Sequence, residues 1–151
     1  MSNVSTPSDW PAWTAPPDTL VPDPRAAAVT QALAWLDALA ERDAWPPKAR
    51  FALTLCADEA LTNVGAYARA PDGAPAHLWL ACGRTAHGLA LRIEDDGTPF
   101  DPTAQDSPAL ATSLDEAQIG GHGLRLMRHY LHRLLYRREG PRNVLLLEVA
   151  L

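Results

Sequence analysis

The chain has 151 residues, of which 47% are hydrophobic, and carries a formal net charge of −5 with two cysteines. This length and apolar content predict one domain with a hydrophobic core and exclude a chain that is disordered throughout. The acidic charge argues against direct nucleic-acid binding, and no apolar run approaches the roughly 18 residues of a membrane helix. The first residues show no basic region followed by an apolar run, so no secretory signal is predicted. Cys56 and Cys82 lie within apolar segments, which predicts buried, reduced thiols in a cytoplasmic protein.

Residues 1–23 are rich in proline and show no hydrophobic periodicity. They are interpreted as an N-terminal tail, with a short edge strand between Trp13 and Val21. Trp10 and Trp13 are expected to anchor this tail on its own domain, which then comprises residues 24–151.

Two helices are predicted next. The first covers residues 24–42, with Asp23 as its cap and Pro24 at its first position. Its apolar face comprises Val29, Leu33, Leu36 and Ala40. The second covers residues 47–69 and carries Glu59 and Asn63 four residues apart, which places both side chains on one face beside the apolar stripe. Such polar groups either pair with neighbours or serve a ligand.

A strand hairpin over residues 77–82 and 89–95 follows. Leu89, Leu91 and Ile93 share one face, and the same period of two puts Asp95 on it. A carboxylate at the end of an apolar surface needs donors, and Gly97 lets the backbone turn beside it. This arrangement suits a flat ligand with an exocyclic amine, although an ordinary Asp-Gly turn at a strand end would look the same.

Residues 103–119 are small, polar and acidic, which indicates a lid, a binding segment or disorder. Gly120, Gly121 and Gly123 then open a third helix, where backbone amides can meet an anion or simply form a hinge. The apolar face of this helix comprises Leu124, Met127, Leu131 and Leu134 or Leu135.

A final hairpin has one strand around Tyr136, a turn over residues 139–143, and a last strand with one apolar face. That face comprises Leu145, Leu147, Val149 and Leu151. The order of elements predicts an α+β fold, a two-layer sandwich with a mainly antiparallel sheet and helices packed on one face.

Three motifs follow one another along the chain. They are Asp-Glu-Ala-Leu-Thr-Asn at 58–63, Asp-Asp-Gly-Thr-Pro-Phe-Asp-Pro at 95–102, and Ile-Gly-Gly-His-Gly-Leu at 119–124. Together they resemble the N box and the two glycine boxes of the ATP-binding fold shared by gyrase and histidine kinases (the Bergerat fold). Within that fold, the chain most resembles the bacterial anti-sigma factor serine/threonine kinases, a small cytoplasmic group. The resemblance covers about residues 23–151.

The resemblance implies ATP and Mg²⁺ as cofactors and assigns roles by position. Asn63 would coordinate the Mg²⁺ that bridges the phosphates, and Glu59 would be the general base that accepts the serine proton. Asp95 would accept the adenine amine. The remaining nucleotide-binding positions implied are Gly97, Phe100, Gly120, Gly121, Gly123 and Leu124.

The implied partners are a STAS-domain anti-sigma factor antagonist, which would be phosphorylated, and a sigma factor, which would be sequestered. A homodimer is also expected from the resemblance. One feature departs from it: between Arg92 and Arg125 the chain has seven acidic residues and no lysine or arginine. Since phosphoryl transfer normally uses a cation besides Mg²⁺, the alternative is a nucleotide-binding partner-switch module without kinase turnover.

Overall fold

The computed structural model describes residues 10–104 and 122–151. These two ranges contain five strands and three α-helices. In chain order they are β1 (Asp18–Leu20), α1 (Ala28–Asp43), α2 (Pro47–Tyr67), β2 (Leu78–Arg84), β3 (Gly88–Asp95), a 3-10 turn (Pro102–Ala104), α3 (His122–Tyr130), β4 (Arg133–Glu139) and β5 (Arg142–Ala150). No helix within these ranges is both long enough and apolar enough to cross a membrane.

The strands form one antiparallel sheet in the order β1-β2-β3-β5-β4. Side chains alternate between its two faces, and one face packs with α1 and α2 into the hydrophobic core. Leu91, Ile93 and Leu147 belong to this core, each no more than 1% exposed. The structure therefore confirms the predicted α+β sandwich with helices on one face of an antiparallel sheet.

The helix predictions hold to different degrees. The second helix and the β2–β3 hairpin are confirmed. The first helix begins at Ala28, four residues later than predicted, and Asp23 is not its cap. The Asp23 carboxylate instead accepts hydrogen bonds from the backbone N–H and guanidinium of Arg25, and Gln31 bonds the Asp23 backbone. Because a tight turn already uses this carboxylate, it does not reach the helix start.

The C-terminal part corrects three further predictions. α3 ends at Tyr130, because the chain leaves the helix there and His132 N donates to the Glu148 carbonyl at 2.7 Å. Leu134 therefore lies in β4 rather than on the helix face. The predicted turn over 139–143 is shorter, since β5 already begins at Arg142. Leu151 follows the end of β5 and is 51% exposed instead of lying on an apolar strand face.

The N-terminal segment lies against the sheet. β1 is the predicted edge strand, paired with β2. The guanidinium of Arg137 lies 4.3 Å from the Trp10 ring centroid, and that of Arg92 lies 5.9 Å from the Trp13 ring centroid. Both tryptophans thus pack on their own domain, as expected from the sequence. The domain boundary at residue 23 stays a prediction.

Away from the helices, the sheet buries a carboxylate. Glu148 is fully buried, and its Oε2 accepts a hydrogen bond of 2.6 Å from the Thr85 hydroxyl. Arg133 Nε lies 3.4 Å from the other oxygen, as an ion pair without hydrogen-bond geometry. The Thr85 hydroxyl also accepts the Gly88 N–H at 3.1 Å. One hydroxyl therefore serves both the buried charge and the β2–β3 turn.

Replacing Thr85 with valine removes this hydroxyl while keeping the shape of the side chain. We expect Thr85→Val to lower the free energy of unfolding by roughly 1–3 kcal/mol, because the Glu148 carboxylate loses its close donor. The control is Thr14→Val, which removes an exposed hydroxyl bonded to Arg84 O at 3.3 Å and should change stability by no more than about 0.5 kcal/mol. Urea unfolding measures both; equal effects would contradict the role of Thr85.

Candidate functional site

α2 carries the first group of predicted site residues along one face. Glu59, Asn63 and Tyr67 follow one another at intervals of four residues, and the rise of a helix spreads them over roughly 12 Å. Glu59 and Asn63 are partly exposed. Among the described residues, neither side chain forms a hydrogen bond or an ion pair. Within the described part of the chain, both side chains thus border the helix face without a protein partner of their own.

Asp95 ends β3 as a buried carboxylate, only 2% exposed. Its Oδ1 accepts two hydrogen bonds of 2.9 Å, one from the Gly97 N–H and one from Asn143 Nδ2. Burial raises the pKa of this carboxyl, and the two hydrogen bonds oppose that shift. No donor from the described residues reaches Oδ2. One oxygen is thus held by the protein, and the other can accept a hydrogen bond from a ligand.

Gly97 is needed for close packing of the turn after Asp95 on the end of α2. A Cβ added at Gly97 would lie 2.7 Å from both the carbonyl carbon and the carbonyl oxygen of Ala68. Next to it, the Thr98 N–H donates to Arg69 O at 2.8 Å. The absence of a side chain at Gly97 therefore allows the turn to pack against the backbone of α2, in addition to any space it leaves for a ligand.

An aromatic contact strengthens the same junction. The rings of Tyr67 and Phe100 lie 5.2 Å apart between centroids, inclined by 32°. Phe100 was expected to bind nucleotide, and the structure places it beside the last turn of α2. The predicted residues Asp95, Gly97 and Phe100 are thereby brought to the helix that carries Asn63.

The start of α3 meets α2 at Glu59. A Cβ added at Gly123 would lie 2.7 Å from Cγ and Cδ of Glu59. Leu124, one residue further, is 4% exposed and packs in the interior. Gly120 and Gly121, which were predicted to contact phosphates, lie outside the described residues. The N-terminal turn of α3, with the partial positive charge of a helix start, thus adjoins Glu59.

The sequence pattern did not single out three further residues at this site. Asn143 holds Asp95, the Tyr136 hydroxyl donates to Asn143 Oδ1 at 2.6 Å, and Arg138 Nη1 donates to Gly97 O at 2.8 Å. A signal for Asn143 was present, because the apolar alternation of β5 extends back from Leu145 to position 143. It was obscured because the residue follows a Gly-Pro turn.

The donor set of the site fits a nucleotide with Mg²⁺. In the described ranges, no three His, Cys, Asp or Glu side chains cluster as a metal site. Mg²⁺ bound to phosphates needs only one or two protein oxygens and keeps several waters. The unbonded amide oxygen of Asn63 can supply such a ligand, and the open oxygen of Asp95 can accept an amine.

Comparison with known proteins also indicates an ATP-binding domain. A family model described as "Histidine kinase-like ATPase domain" matches residues 22–149. The chain is 50% identical over 130 residues to the serine/threonine-protein kinase BtrW of Bordetella bronchiseptica. The aligned region covers 86% of this chain and 91% of that relative. The family match spans the three helices and the strands that carry the candidate site.

Two glycines of this region offer a matched pair of substitutions. We expect Gly97→Ala to lower the free energy of unfolding by roughly 1–3 kcal/mol, because its Cβ would overlap the Ala68 carbonyl. Gly65 lies within α2 with nothing within 4 Å of an added Cβ, so Gly65→Ala should raise stability by about 0.5–1 kcal/mol. Thermal unfolding compares the two; a Gly97→Ala protein as stable as wild type would exclude the close packing.

Proposed function

The chain belongs to the histidine kinase-like ATPase domain family, and on that premise we propose that it binds ATP between α2 and the turn after β3 and phosphorylates a serine of a partner protein. One observation carries the proposal above all. The buried Asp95 carboxylate has one oxygen held by two donors, and the described residues donate no hydrogen bond to the other. That arrangement suits a base with an exocyclic amine, with Asn63 and Glu59 following on one face of α2.

In the proposed reaction, Asp95 binds and orients the adenine, and Asn63 would hold the Mg²⁺ through its amide oxygen. When bound, Mg²⁺ neutralises charge on the phosphate oxygens. Glu59 accepts the proton of the serine hydroxyl, whose oxygen forms a bond to the γ-phosphorus while the bond from that phosphorus to the β–γ bridging oxygen breaks. The products are phosphoserine and ADP. Since such chemistry depends on positioning, the contact between Glu59 and Gly123 matters for where the base lies.

We extend the proposal to the substrate. The 58–63, 95–102 and 119–124 motifs resemble those of anti-sigma factor kinases, and the relative at 50% identity is named a serine/threonine-protein kinase. The substrate is then a serine on a STAS-domain anti-sigma factor antagonist, and a sigma factor is held when the antagonist is not engaged. A cytoplasmic homodimer fits the same resemblance.

A second candidate is a module that binds nucleotide and partner without turnover. The sequence between Arg92 and Arg125 favours it, with seven acidic residues and no cation. Later elements bring two guanidinium groups toward this segment. Arg138 donates to Gly97 O, and Arg128 Nη2 donates to Thr103 O at 3.0 Å. Both hydrogen bonds are to backbone carbonyls, and they hold the two guanidinium groups at the turn after β3 and at the 3-10 turn.

Nucleotide binding is tested by calorimetric titration with Mg-ATP. Asp95→Asn turns the acceptor into an amide, and Asn63→Ala removes the metal ligand; each should weaken ATP binding by at least roughly tenfold. As a second readout, ATP at a hundred times its dissociation constant should stabilise the wild type by about 2.7 kcal/mol. If the wild-type protein binds no ATP, both the kinase and the nucleotide-binding module are excluded.

Phosphoryl transfer is tested with radiolabelled ATP and a STAS-domain antagonist carrying the acceptor serine. Glu59→Gln should slow label transfer by roughly 100- to 10,000-fold while leaving ATP bound, because the amide cannot accept the proton. The matched control is Asp58→Asn, an exposed neighbour on the same helix, which should transfer at the wild-type rate. ATP binding without any label transfer in the wild type would favour the module without turnover.

A further inference from the structure

Asn143 forms hydrogen bonds with four groups at one corner of the candidate site, although only 3% of the residue is exposed. Its Nδ2 donates to Asp95 Oδ1 and to Thr98 O, both at 2.9 Å. Its Oδ1 accepts the Phe100 N–H at 3.1 Å and the Tyr136 hydroxyl at 2.6 Å. A buried amide from β5 thus bonds both the carboxylate and the backbone of the turn that follows it.

These partners leave one orientation for the amide. Thr98 O can only accept and Phe100 N can only donate, so Nδ2 must face the Thr98 carbonyl and Oδ1 must face the Phe100 amide. In that orientation Nδ2 also faces Asp95. The backbone of the turn therefore fixes a donor against the carboxylate, and the donor cannot be exchanged for an acceptor by a flip of the side chain.

The effect falls on a single oxygen of Asp95. Asn143 and the Gly97 N–H both donate to Oδ1. With Oδ1 doubly bonded, the carboxylate is held against rotation about its last torsion, and Oδ2 is the oxygen left for a ligand. The sheet register sustains this geometry, since Asp95 and Asn143 are directly paired residues of β3 and β5.

We propose that Asn143 is the positioning residue that makes the site selective for a base with an exocyclic amine, by holding Asp95 Oδ1 and keeping Oδ2 as the acceptor. This inference rests on the proposed function, because it concerns how the same site recognises ATP. Asn143 itself acts through Asp95.

The test compares the dissociation constants of ATP and of purine riboside triphosphate, which is ATP without the exocyclic amine. Wild type should prefer ATP by roughly 10- to 100-fold, as expected for a hydrogen bond to a charged acceptor. Asn143→Leu removes both donors and keeps the number of side-chain heavy atoms. Asn143→Ala removes both donors without a larger side chain or a second carboxyl beside Asp95. In each variant the preference for ATP should shrink by at least about tenfold.

Tyr136→Phe is the control for a merely structural effect. It removes one bond to Asn143 Oδ1 and leaves both bonds that Asn143 donates. It should lower the melting temperature and keep the preference for ATP. A cooperative unfolding transition shows that each variant is folded, and Asn143→Ala tests the inference if Asn143→Leu does not fold.

The pH profile gives a second readout. The charged or titratable groups that face Asp95 are Arg138 on β4, the adjacent Asp96, and Tyr136. The Asn143 N–H stabilises the ionised carboxylate, so its loss raises the pKa of Asp95 further above the ordinary value. In Asn143→Leu, the loss of ATP affinity on acidification should therefore begin at a higher pH than in wild type.

The outcomes separate this inference from the proposed function. Wild type that binds no ATP would overturn the proposed function and this inference with it. Wild type that binds ATP and purine riboside triphosphate equally would overturn amine recognition by Asp95, and the role of Asn143 with it, while leaving ATP binding itself in place. Folded Asn143 variants that keep the full preference for ATP would overturn the role of Asn143 alone. Loss of preference in the Asn143 variants but not in Tyr136→Phe supports it.

Discussion

A carboxylate buried at the end of a strand is the constraint on which the candidate site depends. Asp95 is 2% exposed, and an ionised group in that position is costly unless donors compensate the lost water. The antiparallel register supplies one donor by pairing Asp95 with Asn143, and the Gly97 N–H supplies the other. Both reach the same oxygen, so the described residues satisfy only half of the carboxylate, which suits it to a ligand.

That constraint extends to the helix layer through the turn after β3. The turn must bend back so that Gly97 N reaches the carboxylate, and this brings its backbone against Ala68 at the end of α2. The Thr98–Arg69 hydrogen bond and the Tyr67–Phe100 contact fix the same junction. The helix that carries Glu59 and Asn63 is therefore attached to the turn that holds Asp95, and the predicted residues become one site through backbone packing.

Local patterns sufficed to predict α2, the β2–β3 hairpin and the inward side of Asp95, because each depends on periodicity within one segment. They failed where contacts with residues outside the segment determine its ends or its hydrogen-bond partners. The Asp23 carboxylate is used by Arg25, which delays α1, and the bond from His132 N to Glu148 O ends the helical course of α3. Asn143 was assigned to a turn from its Gly-Pro neighbours, although its bond to Asp95 depends on strand register. The contact of Glu59 with Gly123 joins elements far apart in sequence, so no local pattern could predict it.

The two ends of the α2 face differ in how strongly the protein fixes them. At the Asp95 end, a buried amide, close backbone packing and an aromatic contact over-determine the geometry. At the Glu59 end, the described residues supply only the packing of Gly123 against Glu59, and they give neither Glu59 nor Asn63 a side-chain hydrogen bond. The described part of the site is therefore preorganised for the base, and on the proposed function its catalytic geometry is completed where phosphates, metal and partner bind.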